Sequence, residues 1–199
     1  MSQREMFQLT ESEQHLLLRI ARNAVQAYLS GEVFNPPDGV SGVLTESCGI
    51  FVSIHKDGEL RGCIGSISAD RPLYCSAAEC AVSAAFGDPR FVPLTMDELA
   101  VVDFEISVLS PMQRVSDIGE IEVGKHGLLI SKRGYRGVLL PQVATAYSWD
   151  RDTFLSETCR KAGLRADEWK DGATINRFSA FVFHERSECK PDRAQPSIK

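Results

Sequence analysis

The stretch Leu60-Arg61-Gly62-Cys63-Ile64-Gly65 carries a cysteine between two glycines, with an arginine two residues before the cysteine. It comes just after Asp57-Gly58, a dipeptide typical of a two-residue hairpin turn. Glycine weakens the interior of a strand and usually marks a bulge, or a point where a ligand, a partner or a neighbouring strand approaches the backbone. The stretch is therefore both the predicted second arm of a hairpin and the first candidate for a functional site.

The predicted hairpin spans residues 49–67. Simple pairing across the turn sets Ile54 opposite Arg61 and Val52 opposite Cys63. Because successive side chains of a strand alternate, Arg61 and Cys63 would then share one face of the sheet. A bulge at either glycine would shift this register by one residue and change that face.

The flanking sequence predicts helices packed around strands. The helix over residues 11–30 begins with a capping box of Thr10 and Glu13, and Gly31 ends it. The other predicted elements are a helix rich in small residues over 73–86, a strand over 102–108, a helix over 151–162 and a final strand over 174–185. Together they predict an α+β fold, a largely antiparallel sheet flanked by helices. Residues 1–186 form one predicted folding unit, and the polar residues 187–199 a disordered tail.

Composition is that of an ordinary globular protein, with 199 residues, 43% hydrophobic and 25% charged. A net charge of −5 argues against a sequence-independent nucleic-acid binder, which needs a broad basic face. The polar start lacks the core of a signal peptide, and no run approaches the ~18 apolar residues of a membrane span. The six cysteines have neither CxxC pairs nor zinc-site spacing. We therefore expect a cytoplasmic protein with reduced thiols, no metal, no cofactor and no membrane contact.

Three interpretations of Cys63 stay open. It is a small buried thiol packed where the glycines allow close approach. Alternatively it is a nucleophile whose pKa is lowered by Arg61 or another cation. In the third interpretation the ligand binds the backbone at Gly62 and Gly65, and the thiol takes no part.

A nucleophilic cysteine usually needs a histidine as its base. His126 is the best candidate, because the glycines on either side of Lys125-His126 suggest a shaped loop. The alternative for His126 is a solvated turn residue. His15 and His184 are predicted to be structural, and His55 to lie on the face opposite Cys63.

A second cluster of candidates is Asp88-Pro89-Arg90-Phe91, where the proline fixes a turn and Asp88 can accept from nearby backbone N–H groups. Arg90 would then bind a carboxylate, a phosphate or an acidic partner, or form a structural ion pair with Glu105. Gln142 directly follows a buried strand, where it would orient a ligand or cap the backbone.

The stretch 60–65, which we call the hallmark, and several further blocks resemble the AMMECR domain family. The matching blocks are 49–52 (GIFV), 58–65 (GELRGCIG), 84–86 (AAF), 88–94 (DPRFVPL), 105–110 (EISVLS), 124–128 (GKHGL), 139–144 (LLPQVA) and 159–164 (CRKAGL). The resemblance implies a cytosolic domain of two unequal lobes, with the hallmark near a cleft between them. It also implies two partners, a Memo-like protein and a radical SAM protein. The three proteins form what is called the AmmeMemoRadiSam system, in which the domain is protein A.

The leading hypothesis is a binding or accessory module that acts with those partners. Its cleft would be lined by Arg61, Cys63, Arg90 and His126, and would hold a small molecule or a peptide. The alternative is a thiol-dependent enzyme in which Cys63 attacks, His126 is the base and Arg61 stabilises an anion. A nucleic-acid-associated protein is the least favoured hypothesis, because no basic and aromatic platform is visible.

Overall fold

The computed structural model describes residues 9–185, so the predicted tail lies outside the described residues. The helices are α1 (Glu11–Ser30), α2 (Leu73–Phe86), α3 (Met96–Leu99), α4 (Pro141–Ala146) and α5 (Arg151–Lys161). The strands are β1 (Ile50–Lys56), β2 (Glu59–Ser66), β3 (Val102–Leu109), β4 (Gln113–Arg114), β5 (Gly127–Lys132), β6 (Tyr135–Leu139), β7 (Thr174–Phe178) and β8 (Ala180–His184). Short 3-10 turns cover Gly42–Thr45, Ile118–Glu120 and Glu168–Lys170.

The strands form two antiparallel four-stranded sheets, with the orders β2-β1-β3-β8 and β4-β7-β5-β6. We call the first sheet with α1, α2 and α3 the first lobe, and the second sheet with α4 and α5 the second lobe. The α+β class and the two unequal lobes are confirmed, and the larger buried apolar cluster belongs to the first lobe. The antiparallel strands flanked by helices are confirmed too, and they are divided between two sheets, because the chain leaves the first sheet after β3 and returns to it only at β8.

The two crossings between the lobes lie side by side. The amide of Ser110 donates to the carbonyl of Ser179 at 2.9 Å, and the amide of Ser179 donates to Ser110 Oγ at 2.9 Å. The final strand predicted over 174–185 is therefore two strands, β7 and β8, that belong to different sheets. Phe178 before the break and Phe183 after it are both buried, which is not the period of one continuous strand.

Both long helices of the first lobe pack on the same face of the first sheet. The predicted α1 is confirmed: Thr10 and Glu13 form the capping box, and Gly31 ends the helix with a φ of 70°. Alanines make up much of the buried side of α2, so its backbone comes close to the sheet. On that face the strands bury large apolar side chains, namely Ile50, Val52, Ile54, Phe104 and Ile106.

The half-buried Arg22 connects the first helix to the end of the first sheet. The Arg22 guanidinium donates to Glu185 Oε1 at 2.8 Å and to the carbonyls of Leu99 and Val102 at 2.6 and 2.7 Å. Glu185 in turn accepts from the amide of Phe104 at 3.0 Å, and the guanidinium lies 4.9 Å from the Phe104 ring centre. Hydrogen bonding to Glu185 raises the pKa of Arg22. The guanidinium therefore joins α1, α3, β3 and the chain after β8.

Replacing Arg22 by alanine is expected to lower the free energy of unfolding by about 2–4 kcal/mol, because it leaves Glu185 and two carbonyls without their donor. The measurement is urea unfolding followed by circular dichroism. The control is Arg19→Ala, at an exposed arginine on the same helix. Equal midpoints for the two variants would contradict the role given to Arg22.

Candidate functional site

The hairpin of β1 and β2 contains a bulge at Arg61. Asp57 and Gly58 both have positive φ, 53° and 86°, as the predicted two-residue turn requires. Beyond the turn the register shifts: His55 faces Leu60, but Ile54 faces Gly62, so Arg61 is the extra residue. The predicted pairing of Ile54 with Arg61 and of Val52 with Cys63 is therefore wrong. Ser53 lies opposite Cys63, and Val52 opposite Ile64.

The shifted register places Cys63 on the face of the first sheet that is turned away from α1 and α2. We call this face the outer face. A row of four paired residues crosses it from β2 to β8, in the order Cys63, Ser53, Glu105 and His184. Ser53 Oγ donates to Cys63 Sγ at 3.3 Å, and the thiol is half-buried. Cys63 and Glu105 therefore share a face, with Ser53 between them.

Protein atoms fill the space beside both glycines of the hallmark. A β-carbon on Gly62 would lie 2.3 Å from the carbonyl oxygen of Ala84, near the end of α2. A β-carbon on Gly65 would lie 2.4 Å from the carbonyl oxygen of Ile50 and 2.4 Å from the Phe51 ring. The close approach that the sequence indicates is therefore made by a helix at Gly62 and by the paired strand at Gly65. A ligand-binding role for either glycine stays a prediction.

Asp88 joins the turn after α2 to the edge of the first sheet. Its buried carboxylate accepts from the amide of Arg90 at 3.1 Å, as predicted for this turn, and also from the amide of the distant Cys63 at 2.9 Å. The Arg90 side chain adds two bonds, of 2.9 and 2.6 Å, so the partner of Arg90 is Asp88 rather than Glu105. The guanidinium holds the pKa of the Asp88 carboxyl well below its usual range. Because β2 is an edge strand, Asp88 also satisfies a backbone donor that would otherwise be exposed.

Arg61 is neutralised by Glu98, the residue that forms the capping box of α3 with Thr95. Arg61 Nε and Nη2 donate to the Glu98 carboxylate at 3.2 and 2.9 Å, and Lys56 Nζ donates to it at 3.1 Å. These bonds, led by the one from Arg61, lower the pKa of Glu98 to about 2. The Phe91 ring centre lies 5.9 Å from the Arg61 guanidinium and 5.3 Å from that of Arg90. The positive charge of Arg61 is thus balanced by the Glu98 carboxylate.

The surroundings of Cys63 favour the neutral thiol. Burial raises the pKa of Cys63, and the carboxylates of Asp88 and Glu105 raise it further. The hydrogen bond from Ser53 and the charge of Arg90 act in the opposite direction but do not outweigh burial. In the alternative with Cys63 as nucleophile, Arg61 or another cation lowers this pKa; here Arg61 is paired with Glu98, and burial outweighs the charge of Arg90. The catalytic role of Cys63 stays a prediction.

His126 and Gln142 lie in the second lobe. The buried His126 ring has Nδ1 3.0 Å from the amide of Glu122 and Nε2 3.1 Å from Arg177 Nη1. Burial and the charge of Arg177 lower its pKa. Within residues 9–185 its hydrogen bonds do not include Cys63. Gln142 is exposed at the start of α4. The structure therefore brings together the candidates of the first lobe and leaves these two apart from them.

Other features of the described residues bear on the class of protein. Cysteines 48, 63, 75, 80 and 159 are free thiols. In the part of the chain that the structure describes, no three histidines, cysteines or acidic residues are grouped so that they could hold a metal ion. Across the same residues, no helix combines the length and the apolar character needed to cross a membrane.

An edge strand with a cysteine between two glycines, bound by an aspartate-arginine turn, thus lies in a two-lobed α+β fold. The family model described as AMMECR1 matches residues 18–183, and the chain belongs to this family. A protein of Methanothermobacter thermautotrophicus is 42% identical over 185 residues, which cover 89% of this chain and 96% of that protein. A protein of Pyrococcus furiosus is 37% identical, with 97% and 98% covered. The crystal structure of an uncharacterized protein from Pyrococcus horikoshii has a TM-score of 0.86 at 35% identity, and covers 90% of this chain and 95% of that chain.

Replacing Gly62 by alanine is expected to lower the free energy of unfolding by about 2–4 kcal/mol, because the added carbon meets backbone rather than a movable side chain. Gly39→Ala is the control: Gly39 has a φ of 78° but open space around it, so only conformational strain of about 1 kcal/mol is expected. Both changes are measured by chemical unfolding. A cost at Gly62 no greater than that at Gly39 would contradict the packing described here.

Replacing Asp88 by asparagine is expected to cost about 2 kcal/mol at pH 7, because the amide group brings its own donors to face Arg90 and the Cys63 amide. The folded-state pKa of Asp88 lies below the unfolded value of about 3.9, so its stabilisation is complete above that pH and is lost as the pH falls further. Unfolding curves of the parent and of Asp88→Asn should therefore converge as the pH falls below about 4. Asp38→Asn, at an exposed position, should follow the parent throughout. A difference that persists undiminished in acid would show that the carboxylate charge does not act as described.

Proposed function

We propose that this AMMECR domain is a binding or accessory module whose working surface is the outer face of the first sheet around residues 60–65. The observation that carries the proposal is that α1 and α2 both pack on the other face, so the hallmark strand presents Cys63 away from the helices. Leu60 and Val182 are 38% and 41% exposed at opposite edges of the outer face. Single exposed apolar side chains are common on protein surfaces, so the support for this surface comes from the position of Cys63 on it.

The charges around Cys63 support binding over catalysis. Arg61 and Arg90 each have a carboxylate partner, and the pKa of the thiol is raised rather than lowered. A nucleophilic cysteine needs the opposite shift, or a base in contact with it. The thiol-dependent enzyme has one observation in its favour, since the Ser53 hydroxyl and the Arg90 charge would both stabilise a thiolate. Neither outweighs burial, so the enzyme ranks second.

The proposal also includes two partner proteins and a cellular compartment. We infer that the domain acts as protein A beside a Memo-like protein and a radical SAM protein, with the predicted cleft bearing residues 60–65 as the contact. A cytoplasmic location agrees with the five free thiols among the described residues, because reducing compartments keep cysteines unpaired. A small molecule or a peptide would occupy the same surface.

Co-purification of the tagged chain from a native host tests the proposal. The parent is expected to recover both partners, and Leu60→Glu to reduce their recovery at least about tenfold, because it places a charge in an apolar contact. Val101→Glu is the matched control, at a valine that is 61% exposed next to α3. Circular dichroism of both variants verifies folding. Recovery of neither partner by the parent, or equal recovery by both variants, would overturn the proposal.

A further inference from the structure

The second lobe contains a polar surface cavity that the proposed function does not use. It measures about 410 Å³ and is lined by the hairpin of β5 and β6 and by the chain just before β7. The lining residues are Ser131, Lys132, Arg133, Gly134, Arg136, Gly172 and Thr174. Small-molecule sites have volumes of roughly 300–1,000 Å³, so the cavity is large enough for a metabolite.

Three side chains of the cavity form one cross-strand row. Ser131 pairs with Arg136 on one side and with Thr174 on the other. Directly paired residues of antiparallel strands lie on the same face of a sheet, so one guanidinium and two hydroxyls share it. The opposite face is covered by α5, because a β-carbon on the neighbouring Gly137 would lie 2.4 Å from the Ala162 amide. The row therefore presents its donors on the face away from the helix.

The positive charge of the cavity is only partly neutralised. Lys132 binds Glu168 and lies 3.4 Å from the Asp171 carboxylate, and its side chain is 9% exposed. Arg133 and Arg136 are exposed and have no ion-pair or hydrogen-bond partner within residues 9–185. Two unpaired guanidinium groups therefore line one cavity of a chain whose net charge is −5.

Two glycines complete the lining of the cavity. Gly134 and Gly172 have φ values of 87° and 69°, and a β-carbon on either would meet nothing within 4 Å. An anion can therefore approach the backbone at these positions without meeting a side chain. The cavity therefore combines sufficient volume with two hydroxyl donors and with two guanidinium groups that are unpaired within the described residues.

We propose that this cavity binds a phosphate group, either free or as the terminal monoester of a small molecule. Guanidinium groups match the geometry and charge of phosphate oxygens, and two of them balance a dianion. The hydroxyls of Ser131 and Thr174 donate to the remaining oxygens. A cavity of this volume leaves room beside the phosphate for the body of a monoester.

Backbone amide shifts in a proton-nitrogen NMR titration test the proposal. Inorganic phosphate and phenyl phosphate are the probes, and sodium chloride of the same ionic strength is the reference. Either probe should give saturable shifts confined to residues 131–136 and 172–174. Arg136→Gln should weaken binding roughly tenfold, because it removes one charge-assisted contact. Arg165→Gln, at an arginine paired with Asp167 in the same lobe, should leave binding unchanged.

Arg133→Asn is the second variant, because asparagine tolerates the φ of 51° at this turn position while the charge is lost. Tighter binding of phenyl phosphate would identify a monoester, and equal binding would identify free phosphate; both uphold the site. The proposal is overturned if phosphate shifts no more amides than chloride does. It is also overturned if the shifts spread over basic residues of the whole surface, or if folded Arg136→Gln and Arg133→Asn bind as the parent does.

Discussion

The close approach of α2 to β2 at Gly62 is the constraint on which the candidate site depends. The Ala84 carbonyl occupies the space that any side chain at Gly62 would need. Because α2 ends only two residues beyond Ala84, at Phe86, the chain that follows it emerges beside the edge of β2. Asp88 is thereby delivered to the amide of Cys63. Gly62, Asp88 and Cys63 are thus linked by one packing contact.

Electrostatic pairing distinguishes the two lobes. Around β2, each arginine of the candidate set is held by a carboxylate, so the charges stabilise the turn and the bulge. In the second lobe Lys132 is held in the same way, but the two arginines next to it in the cavity are not, within the described residues. Charges that are paired inside the fold contribute to its stability, whereas unpaired charges in a cavity remain available to a ligand. The two regions are therefore suited to different ligands.

The local features of the fold could be predicted from the sequence, and the long-range ones could not. Caps and turns depend on residues close together in the chain, which is why α1 and the turn at Asp57-Gly58 agree with expectation. The bulge at Arg61 depends on Glu98, far away in sequence, so simple pairing across the turn gives the wrong register. The division into two sheets at Ser179 depends on pairing with β5 before it and with β3 after it, and both partners are distant in sequence. In the site, the bond from the Arg90 amide to Asp88 could be predicted from the turn, whereas the bond from the Cys63 amide, 25 residues away, could not.

The paired crossings at Ser110 and Ser179 make the second lobe an insertion between two neighbouring strands. Leu109 of β3 and Ala180 of β8 are direct partners in the first sheet, although the whole second lobe lies between them in the chain. In an unfolded chain, joining these two residues requires closing a long loop, and the entropy cost grows with the length of that loop. Once the inserted lobe has folded, its two ends are already adjacent, and most of that cost has been met. Synthesis order agrees with this sequence of events, because β8 leaves the ribosome only after every strand of the second sheet. Completion of the larger lobe therefore costs less chain entropy when the smaller lobe has already folded.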